Sequence, residues 1–107
     1  MRMLAALLLI LSSSAASAAD AGMFLCRSPV VANDFWNGLL TAQQTGVNVN
    51  KDIAASIAQK NGCSFMTSEH LKPIDFVAGQ LAITDGKIKG WASPQLYILY
   101  VNRPGQQ

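Results

Sequence analysis

The chain of 107 residues has a single histidine, only two cysteines and a charged fraction of 13%. Because His70 is the only histidine, a catalytic triad or a histidine-based metal site would have to be built around this one side chain. The sequence also contains no G-x-S-x-G nucleophile elbow and no glycine-rich phosphate loop. We therefore interpret His70 as a surface loop residue, and we expect a protein without enzymatic activity, cofactor or metal.

Neither a basic stripe nor a long apolar run is present. Lys and Arg residues are scattered along the chain, whereas a nucleic-acid-binding surface concentrates them. No apolar run reaches the roughly 20 residues that a membrane-spanning helix needs. Residues 4–11 are apolar, follow Arg2 and precede a run of small residues, which is typical of a secretory signal peptide. We expect residues 1–19 to be cleaved, and residues 20–107 to form a single small periplasmic or secreted domain without a membrane anchor.

The two cysteines, Cys26 and Cys63, are too far apart in the sequence for a redox C-x-x-C pair. In an oxidising compartment, an even pair in a small domain is most simply a disulfide. The bond would close a loop that contains both helices predicted below.

The remaining sequence predicts an α+β fold with a short N-terminal strand, two helices and an antiparallel meander of about four strands. Strand one covers 22–27. Ser28 caps the first helix, which ends near Gln44, and the second helix covers 51–61. Predicted meander strands cover 63–67, 74–84 with a bulge at Gly79, 87–92 and 96–102. Asp85-Gly86 indicates a hairpin turn within this meander.

The predicted last strand is apolar on both faces, so both faces must be covered. One interpretation is a curled, barrel-like sheet. The other is an exposed aromatic patch that binds a ligand, with Trp91, Tyr97 and Tyr100 as its contact residues. For each of these aromatic residues, ordinary core packing is the alternative.

The segment DGKIKGWASPQLYI, residues 85–98, resembles the closing hairpin of bacterial SH3-like domains. Asp85, Gly86, Gly90, Trp91 and Ala92 fall on that pattern, followed by Leu96 and Tyr97. The opening segment of that family is missing, and two helices stand in its place. The resemblance implies a small SH3-like barrel and a binding module of the cell envelope.

Size, export and one disulfide favour a small envelope protein that binds a protein, peptide or cell-wall ligand. A periplasmic inhibitor or immunity protein that blocks a toxin or hydrolase is the alternative, and residues 84–87 or 69–72 would form its protruding loop. A homodimer joined through the last strand is a further hypothesis, and so is an enzyme centred on His70.

Overall fold

A computed structural model describes residues 21–103, and the predicted signal peptide lies outside this range. The fold is mixed α+β, as expected. Its elements in chain order are β1 (Gly22–Cys26), α1 (Pro29–Gln44), α2 (Lys51–Asn61), β2 (Cys63–Thr67), β3 (Lys72–Val77), β4 (Gln80–Thr84), β5 (Lys89–Ala92) and α3 (Pro94–Val101).

Local capping signals set the ends of α1 and α2. The amide of Val31 donates to Ser28 Oγ at 3.2 Å, and the amide of Ile53 donates to Asn50 Oδ1 at 2.9 Å. These bonds satisfy amides that have no partner inside the helix. At the other end of α2, Gly62 adopts the left-handed conformation at φ 78°, which favours glycine and stops the helix.

The five strands form one antiparallel sheet in the order β2-β1-β5-β4-β3. The first strand of the chain therefore lies inside the sheet, and β2 and β3 form its edges. The sheet is open, and it is not closed into the barrel that the SH3-like resemblance implies.

The Cys26–Cys63 disulfide is present, as predicted, with a sequence separation of 37 residues. The two cysteines lie directly opposite each other in the β1–β2 pairing. Both are buried, and the closed loop contains α1 and α2. The bond therefore fixes the register of β1 against β2 and anchors both helices to the sheet.

Aromatic side chains join the helices to the sheet. The ring of Phe24 in β1 lies edge-to-face with Phe35 of α1 and with Phe65 of β2, at centroid distances of 5.5 Å and 5.1 Å. The helices approach each other at Gly38, where an added Cβ would lie 2.9 Å from Ile57 Cγ2. Phe24 and Phe35 belong to a hydrophobic core cluster with residues of α1, α2 and α3, and Ile57 and Phe65 pack against it.

The prediction of a strand over 96–102 is wrong, because Pro94–Val101 forms the helix α3. Ser93 caps this helix by accepting a hydrogen bond from the amide of Leu96 at 3.3 Å, and Pro94 occupies its first turn. Proline at this position has the backbone angle that a helix needs. A homodimer joined through a last strand therefore has no such strand to use.

The prediction of one long strand over 74–84 is also wrong. A tight turn at Ala78 and Gly79 divides the segment into β3 and β4, with φ angles of 52° and 80°. Positive φ at both central residues matches the right-handed twist of a two-residue hairpin. Asn-Gly is the usual pair at such a turn, and alanine in this conformation costs about 1–2 kcal/mol.

The disulfide favours an oxidising compartment. No helix within residues 21–103 is both long enough and apolar enough to cross a membrane.

Reduction of the disulfide should destabilise the protein strongly. The chain-entropy relation gives about 4 kcal/mol for a loop of this length. We expect the urea midpoint of wild-type unfolding to fall when dithiothreitol is added. The Cys26→Ala/Cys63→Ala variant should have a low midpoint that is the same with and without the reductant. A wild-type midpoint that does not change on confirmed reduction would contradict this account.

Candidate functional site

Two of the three predicted contact residues, Trp91 and Tyr97, are half-buried. Trp91 lies in β5 opposite Cys26 of β1, and Lys89 Nζ is 6.0 Å from the centre of its ring. Tyr97 lies on α3 and stacks on Tyr100 at a centroid distance of 6.0 Å. Each keeps some surface through which it can contact a ligand.

The third residue, Tyr100, is buried at 5% exposure. Its hydroxyl donates to the carbonyl of Ser68 at 2.7 Å and accepts from the amide of Leu71 at 3.0 Å. The guanidinium of Arg103 lies 4.2 Å from the centre of its ring. These contacts leave Tyr100 little surface for a ligand and give it a structural role.

Together, Tyr100 and Arg103 hold the β2–β3 connector, residues 68–71. Arg103 Nη1 donates to the carbonyl of Tyr100 at 2.7 Å, and Nη2 donates to the carbonyl of Glu69 at 3.3 Å. His70 lies on this connector with an exposed side chain, and its amide donates to Ser68 Oγ at 3.1 Å. Within residues 21–103, no three His, Cys, Asp or Glu side chains form a group that could hold a metal ion.

A different part of the molecule presents the densest group of exposed apolar side chains. Ile74, Phe76 and Val77 of β3 are exposed at 52%, 61% and 43%. We call these three residues the β3 surface. All six residues of β3 are exposed, so the strand shows both of its faces to solvent.

The outer edge of β3 is protected against pairing with another strand. Pro73 has no amide hydrogen to donate, and the pairing with β4 shifts register between Pro73 and Asp75. The amide of Phe76 already donates to Asp75 Oδ1 at 2.8 Å. Proline, a bulge and a charged side chain are common devices that prevent edge-to-edge aggregation. The β3 surface therefore offers side chains, more than backbone groups, to a partner.

The predicted turn at Asp85-Gly86 is confirmed as the connection between β4 and β5. Asp85 Oδ1 accepts hydrogen bonds from the amides of Lys87 and Ile88 at 2.9 Å and 3.0 Å. The bond from Ile88, followed by that from Lys87, holds the pKa of the Asp85 carboxyl below its ordinary value. Asp85 is therefore a turn-forming residue that acts through its charged form.

Comparison with models of known protein families, with curated proteins and with solved structures finds no match. The resemblance of residues 85–98 to SH3-like domains therefore stays a prediction. Function must be argued from the surfaces of this chain itself.

The β3 surface is not predicted from the sequence, because Ile74, Phe76 and Val77 fall inside the single long strand predicted over 74–84. A signal for an edge was present in Pro73, since proline is confined to edges, strand starts and bulges of sheets. Neither protruding loop expected for an inhibitor, 84–87 or 69–72, contains a residue of this surface.

Removal of the Tyr100 hydroxyl should reveal its structural role. Tyr100→Phe leaves the buried amide of Leu71 without its partner, which should cost about 1–3 kcal/mol of unfolding free energy. Tyr97→Phe removes the neighbouring hydroxyl and should change stability by no more than about 0.5 kcal/mol. Urea unfolding of both variants gives the comparison, and equal stability of the two would refute this role.

The Asp85 turn should make stability depend on pH in the acid range. Because the folded-state pKa is lowered, the carboxylate stabilises the fold above the unfolded pKa of about 3.9, and this contribution is lost as the pH falls through the folded value. Asp85→Asn resembles the protonated side chain, so its deficit in stability should be constant near neutral pH and shrink below about pH 4.

Asp34→Asn, which removes a carboxylate from the exposed side of α1, controls for the change in net charge. Urea unfolding across the acid range measures the effect. Parallel stability curves for the wild type and Asp85→Asn would show that the charge of Asp85 does not stabilise the turn.

Proposed function

We propose that this chain is a small exported envelope protein that acts by binding a partner protein, without catalysis. The observation that carries the proposal is the β3 surface, where three large apolar side chains of one strand are exposed. A group of large apolar side chains exposed on a small protein is typical of an interaction site. This surface replaces the aromatic residues of the C-terminal segment as the first candidate for contact.

The form of β3 favours a partner with a groove. Both faces of β3 are exposed, and only β4 supports the strand extensively. A flat partner surface could cover one face only. A groove that receives the β3 edge of the sheet would cover Phe76 together with its neighbours on the strand, and a buried aromatic anchor of this kind commonly dominates binding energy.

The alternative function, a periplasmic inhibitor or immunity protein, is favoured by the β3–β4 hairpin. A two-residue turn gives the tip a defined conformation, and a preorganised segment loses little entropy on binding. The partner would then be a toxin or hydrolase whose active-site cleft receives the turn and the β3 edge. A stoichiometric loss of that enzyme's activity on addition of this protein distinguishes an inhibitor from a general binding protein.

The test compares Phe76→Asp with Val30→Asp. Val30 is exposed at 68% on α1, so the control introduces the same charge at an equally exposed apolar position. Neither variant should change the unfolding free energy by more than about 0.5 kcal/mol. Crosslinking capture from the native envelope with the mature protein identifies partners, and binding to each purified partner is then measured.

We expect Phe76→Asp to weaken binding about 30-fold, which corresponds to losing about 2 kcal/mol from one buried phenylalanine. Val30→Asp should bind like the wild type. A partner that binds both variants equally well, or capture of wall fragments alone, would overturn the proposal. Loss of self-association in Phe76→Asp, measured by sedimentation, would show instead that the β3 surface joins two copies.

A further inference from the structure

A cleft of about 190 Å³ lies at the disulfide end of the sheet. Leu25 and Met66 give it an apolar side. Ser64 contributes a hydroxyl, and Arg27 and Lys89 contribute two positive charges. The cleft shares no residue with the β3 surface, so its role can be tested separately.

The charges around this cleft are of one sign. Its lining contains two cations and no carboxylate, although the whole sequence has six Asp and Glu residues against eight Lys and Arg. An anion in the cleft would therefore meet two positively charged side chains and no carboxylate.

The position of Arg27 depends on Gly62. A Cβ added at Gly62 would lie 2.5 Å from Arg27 Nη1 and 3.1 Å from Cζ. The guanidinium therefore lies against the backbone at the end of α2, in space that only glycine leaves open. This contact places the guanidinium beside the end of α2, at the side of the cleft that Gly62 lines.

Close packing of two strands positions Lys89. A Cβ added at the neighbouring Gly90 would lie 2.5 Å from Leu25 Cβ and 3.2 Å from the carbonyl oxygen of Cys26. Because Gly90 has no side chain, β5 can approach β1 closely. The contact lies at the end of β1, directly before Arg27 in the chain. Backbone packing thus fixes the strand that contributes the second cation of the cleft.

We propose that this cleft binds a carboxylate attached to a small apolar group, as at the free C-terminus of a peptide. A guanidinium presents a planar pair of donors that matches a carboxylate, and Lys89 and Ser64 supply further donors. Leu25 and Met66 contact the apolar group. The cleft volume of about 190 Å³ lies below the roughly 300–1,000 Å³ of ordinary ligand pockets, so the cleft suits a single terminal residue.

The probe for the test is N-acetyl-alanyl-alanine with a free carboxylate, and its C-terminal amide is the matched control. Both are titrated into the oxidised mature protein, with amide chemical shifts recorded by NMR. We expect saturable shifts at Arg27, Ser64 and Lys89 with the acid only, and a Kd on the order of millimolar for a ligand of this size. Inorganic phosphate is titrated in a third experiment, which distinguishes recognition of a carboxylate from recognition of a phosphate.

Variants of the exposed cations complete the test. Arg27→Gln and Lys89→Gln should each raise the Kd about tenfold, since a hydrogen bond to a charged group is lost. Lys72→Gln, which removes an exposed lysine from β3 at the far edge of the sheet, should leave the Kd unchanged. The proposal would be overturned if the acid and the amide gave equal chemical-shift changes, or if only phosphate bound. It would also be overturned if all three variants lost affinity to the same extent.

Discussion

The covalent bond between Cys26 and Cys63 is the constraint on which the other contacts depend. It joins directly opposed residues of β1 and β2 and closes a loop around α1 and α2. A domain of this size buries a smaller fraction of its surface on folding than a large domain does, so its core alone gives limited stability. With β1 held against β2, Phe24 can pack between Phe35 and Phe65, and the other side of β1 is free to pair with β5.

The part of the fold that the sequence predicts correctly is the part governed by local signals. Ser28 and Asn50 accept the helix-capping hydrogen bonds, and Gly62 ends α2 in the conformation that glycine favours. The disulfide follows from compartment and cysteine number. Signals of this kind depend on a few neighbouring residues, so no knowledge of the tertiary structure is needed to interpret them.

The errors lie where tertiary contacts decide between alternatives. The run from Leu96 to Val101 is apolar all round, and such a run forms a buried helix or a buried strand equally well. The pair Ser93-Pro94 is compatible with a break between two strands, but in the structure Ser93 caps α3 and Pro94 lies in its first turn. The burial of Tyr100 depends on Ser68 and Leu71, which are 32 and 29 residues away, and no local pattern indicates those contacts.

The edge position of β3 bears on how an exposed apolar strand would select the partner that we propose. An open strand edge pairs with almost any extended chain, because backbone groups carry little sequence information. In β3, Pro73 lacks a donor and Asp75 occupies the amide of Phe76. The strand therefore has few free donors for strand addition, while the side chains of the β3 surface remain accessible. Under the proposed function, recognition would come from the shape and apolar character of those side chains. A groove can complement these features, whereas an added strand pairs mainly with backbone groups.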